Sequence, residues 1–338
     1  MGALFKALFT AVVGLGGLLA VLGALYWLSK FLPAAWRERW QVMIFLLPAL
    51  FAILIGLLVP AIRTIYTSLF NDTGKKFIGF DNYKEIFTGK DTRLTVINSL
   101  TWVIVGTTAT VLVGLAIARF ADGMRGERAA KSAIFIPGAI SLAGAGIIWK
   151  FVYAGPPFKV GLLNQITKVI PGLPASAGGN GDQLWLLEPG VGALKPPDSA
   201  PGFNTFLLIV IFIWASAGFA TVVFSAAIKG VSSEIIEAAR LDGASERQLF
   251  LKVIVPMIRG TIVTVTTTVA IVTLKIFDIV MSISGGRNHD DVVAVRMFAE
   301  MFQFFNDGRA AALATVLFIA VLPVMILNLR NFRRQAAM

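Results

Sequence analysis

The chain has 338 residues, 57% of them hydrophobic and only 14% charged, with no cysteine and a formal net charge of +11. Soluble domains carry roughly a quarter charged residues, so a soluble globular enzyme is excluded, and so are disulfides and sulfur-ligated metal. The basic residues flank apolar runs and form no single face, which suits lipid headgroups and excludes a nucleic-acid partner.

Charge-free runs cover Ala7–Ser29, Trp40–Ile62, Leu94–Ala118, Ser132–Trp149, Ser199–Ile228, Gly260–Leu274 and Ala310–Leu329. Most reach the ~18–20 residues that cross a bilayer as helix. Gly260–Leu274 is short alone, but it continues past Lys275 and Asp278 to Gly286. The pattern predicts an all-α polytopic membrane protein with about seven transmembrane helices. Residues 1–39 supply an extra N-terminal helix and loop, and residues 40–338 a six-helix core. The core spans are expected at about 41–66, 94–119, 132–153, 203–228, 257–284 and 309–330.

In the first run, Gly16 and Ala20 lie at i, i+4 and permit close helix packing. A cleaved signal sequence, for which the run is long, and a helix lying in the interface are the other readings of Ala7–Ser29. Segments 30–39, 119–131, 229–259 and 330–338 hold 3, 4, 5 and 3 Lys or Arg. Segment 150–198 holds only Lys150, Lys159, Lys168 and Lys195. The first set is therefore read as cytoplasmic, which puts the N-terminus outside and the C-terminus inside. Segment 63–93, with six basic residues, weakens that bias. Lys6 also argues against it.

Residues 154–202 form an external loop rich in Gly and Pro, interrupted by Trp185, Leu186 and Leu187; it reads as an ordered cap, too short for a domain. The single histidine, His289, stands in a loop. The motifs Ile136-Pro137-Gly138 and Leu322-Pro323 kink their spans.

Residues 229–256 form a compact polar helix–turn–helix between two oily spans. Ser232 or Ser233 caps a first helix, with Glu234 in its first turn. That helix ends at Asp242-Gly243, where glycine accepts positive φ. Ser245-Glu246-Arg247-Gln248 is a capping box for a second helix, and Pro256 opens the next span. Taken alone, the segment reads equally as a surface linker.

The pattern Glu-Ala-Ala, three residues, Gly, nine residues, Ile-x-Leu-Pro is the signature loop of binding-protein-dependent ABC transporter permeases. Glu237-Ala238-Ala239, Gly243 and Val253-Ile254-Val255-Pro256 resemble it at every spacing, with Val253 for Ile and Val255 for Leu. The stretches IRTIYTSLFN, FIGFDNYKEIF, INSLTWVIVGT and LKIFDIVMSISGG are similar to the carbohydrate-importing branch. They resemble the larger, maltose-type (F-type) subunit of a heterodimeric pair. IIWKFVYAG and the stretch from FNDGRAAALATVLF onward are most similar to α-glucoside permeases. Arg287 stands where that family often has Pro.

The resemblance implies that Glu237, Ala238, Ala239, Leu241, Asp242 and Gly243 dock into a groove on a cytoplasmic ATPase. It also implies a second permease subunit, two copies of that ATPase, an extracellular substrate-binding protein and an oligosaccharide substrate. Positions matching the family's sugar contacts are Ser216, Phe219, Thr273 and Ile276, the last apolar where a polar residue is expected. Ser216 and Thr273 could hydrogen-bond sugar hydroxyls and Phe219 could stack on a ring, although ordinary helix packing explains all three. Trp214 and Asn98 read as packing and interhelical hydrogen bonding.

Lys275 and Asp278, at i, i+3 on one predicted helix, are read as an intramembrane ion pair. No G-x-x-x-x-G-K-[ST] loop occurs, so the chain holds no cofactor, and ATP and magnesium belong to the partner ATPase. The expected location is the inner membrane of a bacterium or archaeon. The rival reading is an ion-coupled secondary sugar carrier using Lys275 and Asp278. The lack of an internal repeat speaks against it.

Overall fold

The computed structural model describes residues 2–30, 34–155, 161–170, 183–186, 197, 200–286 and 289–336. Leu187 and Arg287 lie outside the described residues, as does most of the Gly- and Pro-rich part of the long loop. The described elements are helical; an isolated bridge pairs Phe70 with Phe77.

Two compact units form, Met1–Tyr66 and Thr67–Met338. The first unit contains α1 (Gly2–Ser29) and all but the last residue of α2 (Gln41–Thr67). Among the described residues of this unit, a Cβ added at Gly16 would meet no atom within 4 Å.

The second unit runs α3 (Asp81–Thr88), α4 (Lys90–Ala121), α5 (Glu127–Ala139), α6 (Leu142–Val152) and α7 (Leu162–Val169). It continues with α8 (Phe203–Lys229), α9 (Ser233–Leu241), α10 (residues 246–257) and α11 (Arg259–Leu274). It ends with α12 (Asp278–Ile283), α13 (Val293–Phe302) and α14 (Asp307–Ala336). Among the described residues, five helical stretches are long and apolar enough to cross a membrane, one of them running through α11 and α12 (Arg259–Ile283), and six if the bent pair α5–α6 is one span.

The span expected at 132–153 is sharply bent. Helices α5 and α6 meet at 101°. The cause is local: Ile136–Ala139 tightens into a 3₁₀ turn at Pro137, whose ring excludes a helical hydrogen bond. Ser141 then caps α6, its hydroxyl accepting from Gly144 N at 3.1 Å.

The span expected at 257–284 is also interrupted. Lys275 and Ile276 close tight turns onto the carbonyls of Val272 and Thr273, and Phe277 leaves helical geometry with φ −137°.

Helix α8 is the central post. Lipid tails are as apolar as leucine, so helices here associate through close packing and not through hydrophobic gain. Small residues provide that closeness. A Cβ at Gly114 of α4 would lie 2.5 Å from the Cβ of Ala220 on α8. A Cβ at Gly218 would collide with the Ile134 carbonyl and Phe135 Cα on α5. Nearer the start of α8, buried Trp102 meets Phe212 edge-on at 6.0 Å. Such a pair contributes about 0.5–1.5 kcal/mol beyond area.

The end away from α9 and α10 is fastened by polar side chains. Asn98 donates to the carbonyls of His289 and Asp291 at 2.8 and 2.9 Å, and Ser99 accepts from Val293 N at 2.9 Å. Asn98 thus ties α4 to the loop that precedes α13, and its side chain makes no bond from helix to helix among the described residues. In the long loop, Trp185 donates to Asn164 at 2.8 Å, while the Asn164 amide holds the carbonyls of Ala154 and Gln183. The part of the cap that contains Trp185 and Leu186 is therefore ordered, and both side chains are buried.

Candidate coupling surface and transport cavity

The helix–turn–helix forms as its residues dictate. Ser232 caps α9, accepting from Glu234 N at 3.2 Å. Asp242 and Ala244 donate to the carbonyls of Ala238 and Ala239 and close the helix C-terminus, with Gly243 at φ +83°. The Ser245–Gln248 capping box starts α10, with Ser245 N donating to Gln248 Oε1 at 2.9 Å. Ile236 and Ala239 turn inward against the core. Glu237, Ala238, Leu241, Asp242 and Gly243 remain exposed, and Leu241 is 89% exposed. The knuckle is thus rigid on its inner face and unfilled on its outer face.

A cavity of about 420 Å³ lies where the α5–α6 bend meets α8 and α11. Ser216 and Phe219 line it, together with Phe135, Phe212, Thr268 and Val272. Ser216 makes no hydrogen bond among the described residues, so its hydroxyl is open to the cavity. Thr268 uses its proton on the Thr264 carbonyl at 2.8 Å, which leaves lone pairs to accept from a ligand.

Thr273 and Ile276 do not line this space. Thr273 is fully buried, 3.0 Å from the Thr107 hydroxyl, and Ile276 is 2% exposed in the core. Thr268, Phe135 and Phe212 also line the cavity, and sequence reasoning alone does not single them out. The signal available was the i, i+4 repeat of Thr264 and Thr268 within an apolar span. Trp214 packs edge-on against Trp149 at 5.7 Å, consistent with a structural role.

Lys275 and Asp278 require correction. They flank the break between α11 and α12, so they share no helix face, and no ion pair joins them among the described residues. Both are exposed. The i, i+3 argument fails because it presumes an unbroken helix.

Residues 148–334 match the family described as binding-protein-dependent transport system inner membrane component. The chain belongs to that family. This permease is 40% identical over 291 residues to the osmoprotective compounds uptake permease protein GgtC of Synechocystis sp., covering 85% of this chain and 97% of the relative. It is 39% identical to the alpha-glucoside transport system permease protein AglF of Rhizobium meliloti, over 87% of this chain and 82% of that one. The fold is also that of a bacterial ABC transporter for alginate import. The TM-score is 0.68 at 20% identity, covering 88% of the permease and 97% of the compared chain.

Proposed function

We propose that this permease is the larger membrane subunit of an ATP-driven importer that moves an oligosaccharide, an α-glucoside disaccharide in particular, into the cytoplasm. One observation carries the reading: a glycine-hinged knuckle, anchored inward by Ile236 and Ala239, presents Glu237, Ala238 and an 89% exposed Leu241 outward. Burying one leucine side chain is worth about 1.5–3 kcal/mol, so such a surface fits a protein groove better than water. The groove belongs to one of two ATPase copies, which bind ATP and magnesium, and a second permease completes the pathway. The knuckle faces the cytoplasm, where closure of the ATPase pair pushes it and rocks the bundle between outward-open and inward-open states.

The name of the Rhizobium meliloti relative supports the α-glucoside assignment. The alginate transporter has also been seen with a ligand-bound periplasmic protein, which supports an extracellular binding partner. In the cavity, Ser216 and Thr268 offer sugar-hydroxyl partners and Phe219 an apolar face.

The test is ATP turnover by the reconstituted assembly, stimulated by its binding protein loaded with maltose, trehalose or sucrose. Stimulation by at least one of these is expected. Proton-coupled uptake by this chain alone, with no ATPase attached, would overturn the reading.

A further inference from the structure

Glu246, the first residue of α10, holds two arginines from different elements, one with each carboxylate oxygen. Arg240, near the end of α9, donates to Oε1 at 3.0 Å. Arg119, at the inner end of α4, donates to Oε2 at 3.1 Å. The Arg119 guanidinium also lies over the Phe250 ring, 5.7 Å from its centroid. Beyond the capping box, Glu246 thus joins both short helices to a membrane span that is remote in sequence.

We infer that Glu246 and Arg119 are positioning residues that make the knuckle and α4 move as one body, so that displacement of the knuckle reaches the Gly114–Ala220 contact with α8. The inference rests on the coupling role proposed above. Stability does not account for the arrangement. The Glu246 side chain is 59% exposed and that of Arg119 34%, and ion pairs at such exposure add little to folding. Geometry does account for it. Two charged forks on one carboxylate fix the angle between α9 and α10 and the position of both against α4. A planar guanidinium that is stacked and hydrogen-bonded at once resists sliding more than a lysine would. The adjoining ion pairs at the inner end of α8 extend the fastening. Lys229 contacts Asp122 at 3.5 Å, and Glu127 binds both Lys131 and Lys229.

The absence of cysteine allows a direct measurement. Spin labels at Phe120→Cys on α4 and Ile235→Cys on α9, both exposed positions, report the distance between span and knuckle in the assembled transporter. With the clasp intact, one narrow distance is expected, unchanged between the nucleotide-free and ATP–vanadate-trapped states. Glu246→Gln or Arg119→Gln should broaden it and lower maltose or trehalose moved per ATP by about threefold or more. The amount of bound ATPase and the melting temperature should stay as in the wild type. The triple exchange Arg119→Glu and Arg240→Glu with Glu246→Arg, which keeps opposite charges at both contacts, should narrow the distance again.

A distance that shifts with nucleotide in the wild type overturns the one-body inference. So do single variants with wild-type width and coupling, or a triple exchange no better than either single. A wild-type assembly that retains no ATPase overturns the functional reading instead, while the nucleotide-free widths still judge the clasp.

Discussion

Thr107 and Thr273 meet hydroxyl to hydroxyl at 3.0 Å, joining α4 to the last turn of α11 inside the bundle. Thr273 Oγ1 also reaches the carbonyls of Val269 and Ala270. A hydroxyl has one proton, so Thr273 donates to its own helix and accepts from Thr107. The pair is saturated and out of a ligand's reach. Thr273→Val should therefore cost about 0.5–1.5 kcal/mol of stability and leave the KM for sugar unchanged. A double-mutant cycle with Thr107→Val should return a coupling of about 0.6 kcal/mol, the scale of such bonds in membranes. A raised KM at unchanged melting temperature would return Thr273 to the sugar path.

Phe219 and Ser216 are where uptake should respond. Phe219 is 43% exposed at the cavity, so its ring stabilises little by packing alone. Phe219→Ala should raise the KM of the assembled transporter roughly tenfold, equivalent to about 1.4 kcal/mol of binding, with little change in melting temperature. Ser216→Ala should raise it less, by one lost hydrogen bond. Measured uptake at a series of sugar concentrations separates KM from maximal rate and checks both.

Much of this fold is legible in the sequence because hydropathy and charge act residue by residue. The ends of α8 at Phe203 and Lys229 fall where apolar residues stop. The knuckle is legible for the same reason: Ser232, Gly243, Ser245 and Gln248 act through their own backbone neighbours. The rest depends on residues far apart in the chain. Pro137 announces a kink, but only contact with α8 shows that the bend walls a cavity. Thr268 and Thr273 are alike in type, and only the helix rotation decides which faces the cavity and which Thr107. Lys275 and Asp278 show the same limit, since helical spacing says nothing across a break.

The glycines under α8 make a steric prediction. Gly114 meets Ala220, and Gly218 meets the backbone of α5, where no flexible side chain can yield. Either residue changed to alanine must push two helices apart, at a cost of roughly 1–3 kcal/mol. Thermal unfolding in detergent should show both variants destabilised. Gly16→Ala, with open space around it, should be neutral or slightly stabilising.

Asp291 should make stability depend on pH. Burial pushes its carboxyl up from 3.8 to about 7, against the pull of Arg296 and the Thr95 hydrogen bond and with Asp290 adding repulsion. Between these values the folded chain holds a proton that the unfolded chain has lost. Stability from this group therefore declines as pH rises from about 4 to about 7 and is level above that. The full swing is at most about 4 kcal/mol. Asp291→Asn keeps an acceptor for Thr95 and cannot ionise. The melting temperature of the wild type relative to this variant should fall between pH 5 and pH 8, and parallel curves would refute the assignment.

Gly243 separates backbone strain from steric fit. It sits at φ +83°, yet a Cβ there would meet nothing within 4 Å. Any effect of substitution must then come from conformation. Valine, branched at Cβ, strains most in the left-handed region, by about 1–2 kcal/mol or more, whereas asparagine tolerates it. Gly243→Val should release the turn, misalign α9 against α10 and abolish sugar-stimulated ATP turnover, while the membrane bundle keeps its melting temperature. Gly243→Asn should retain most of the turnover. Equal loss in both variants would mean that the partner needs the bare glycine surface and not the turn, and normal turnover in Gly243→Val would refute the coupling role of the knuckle.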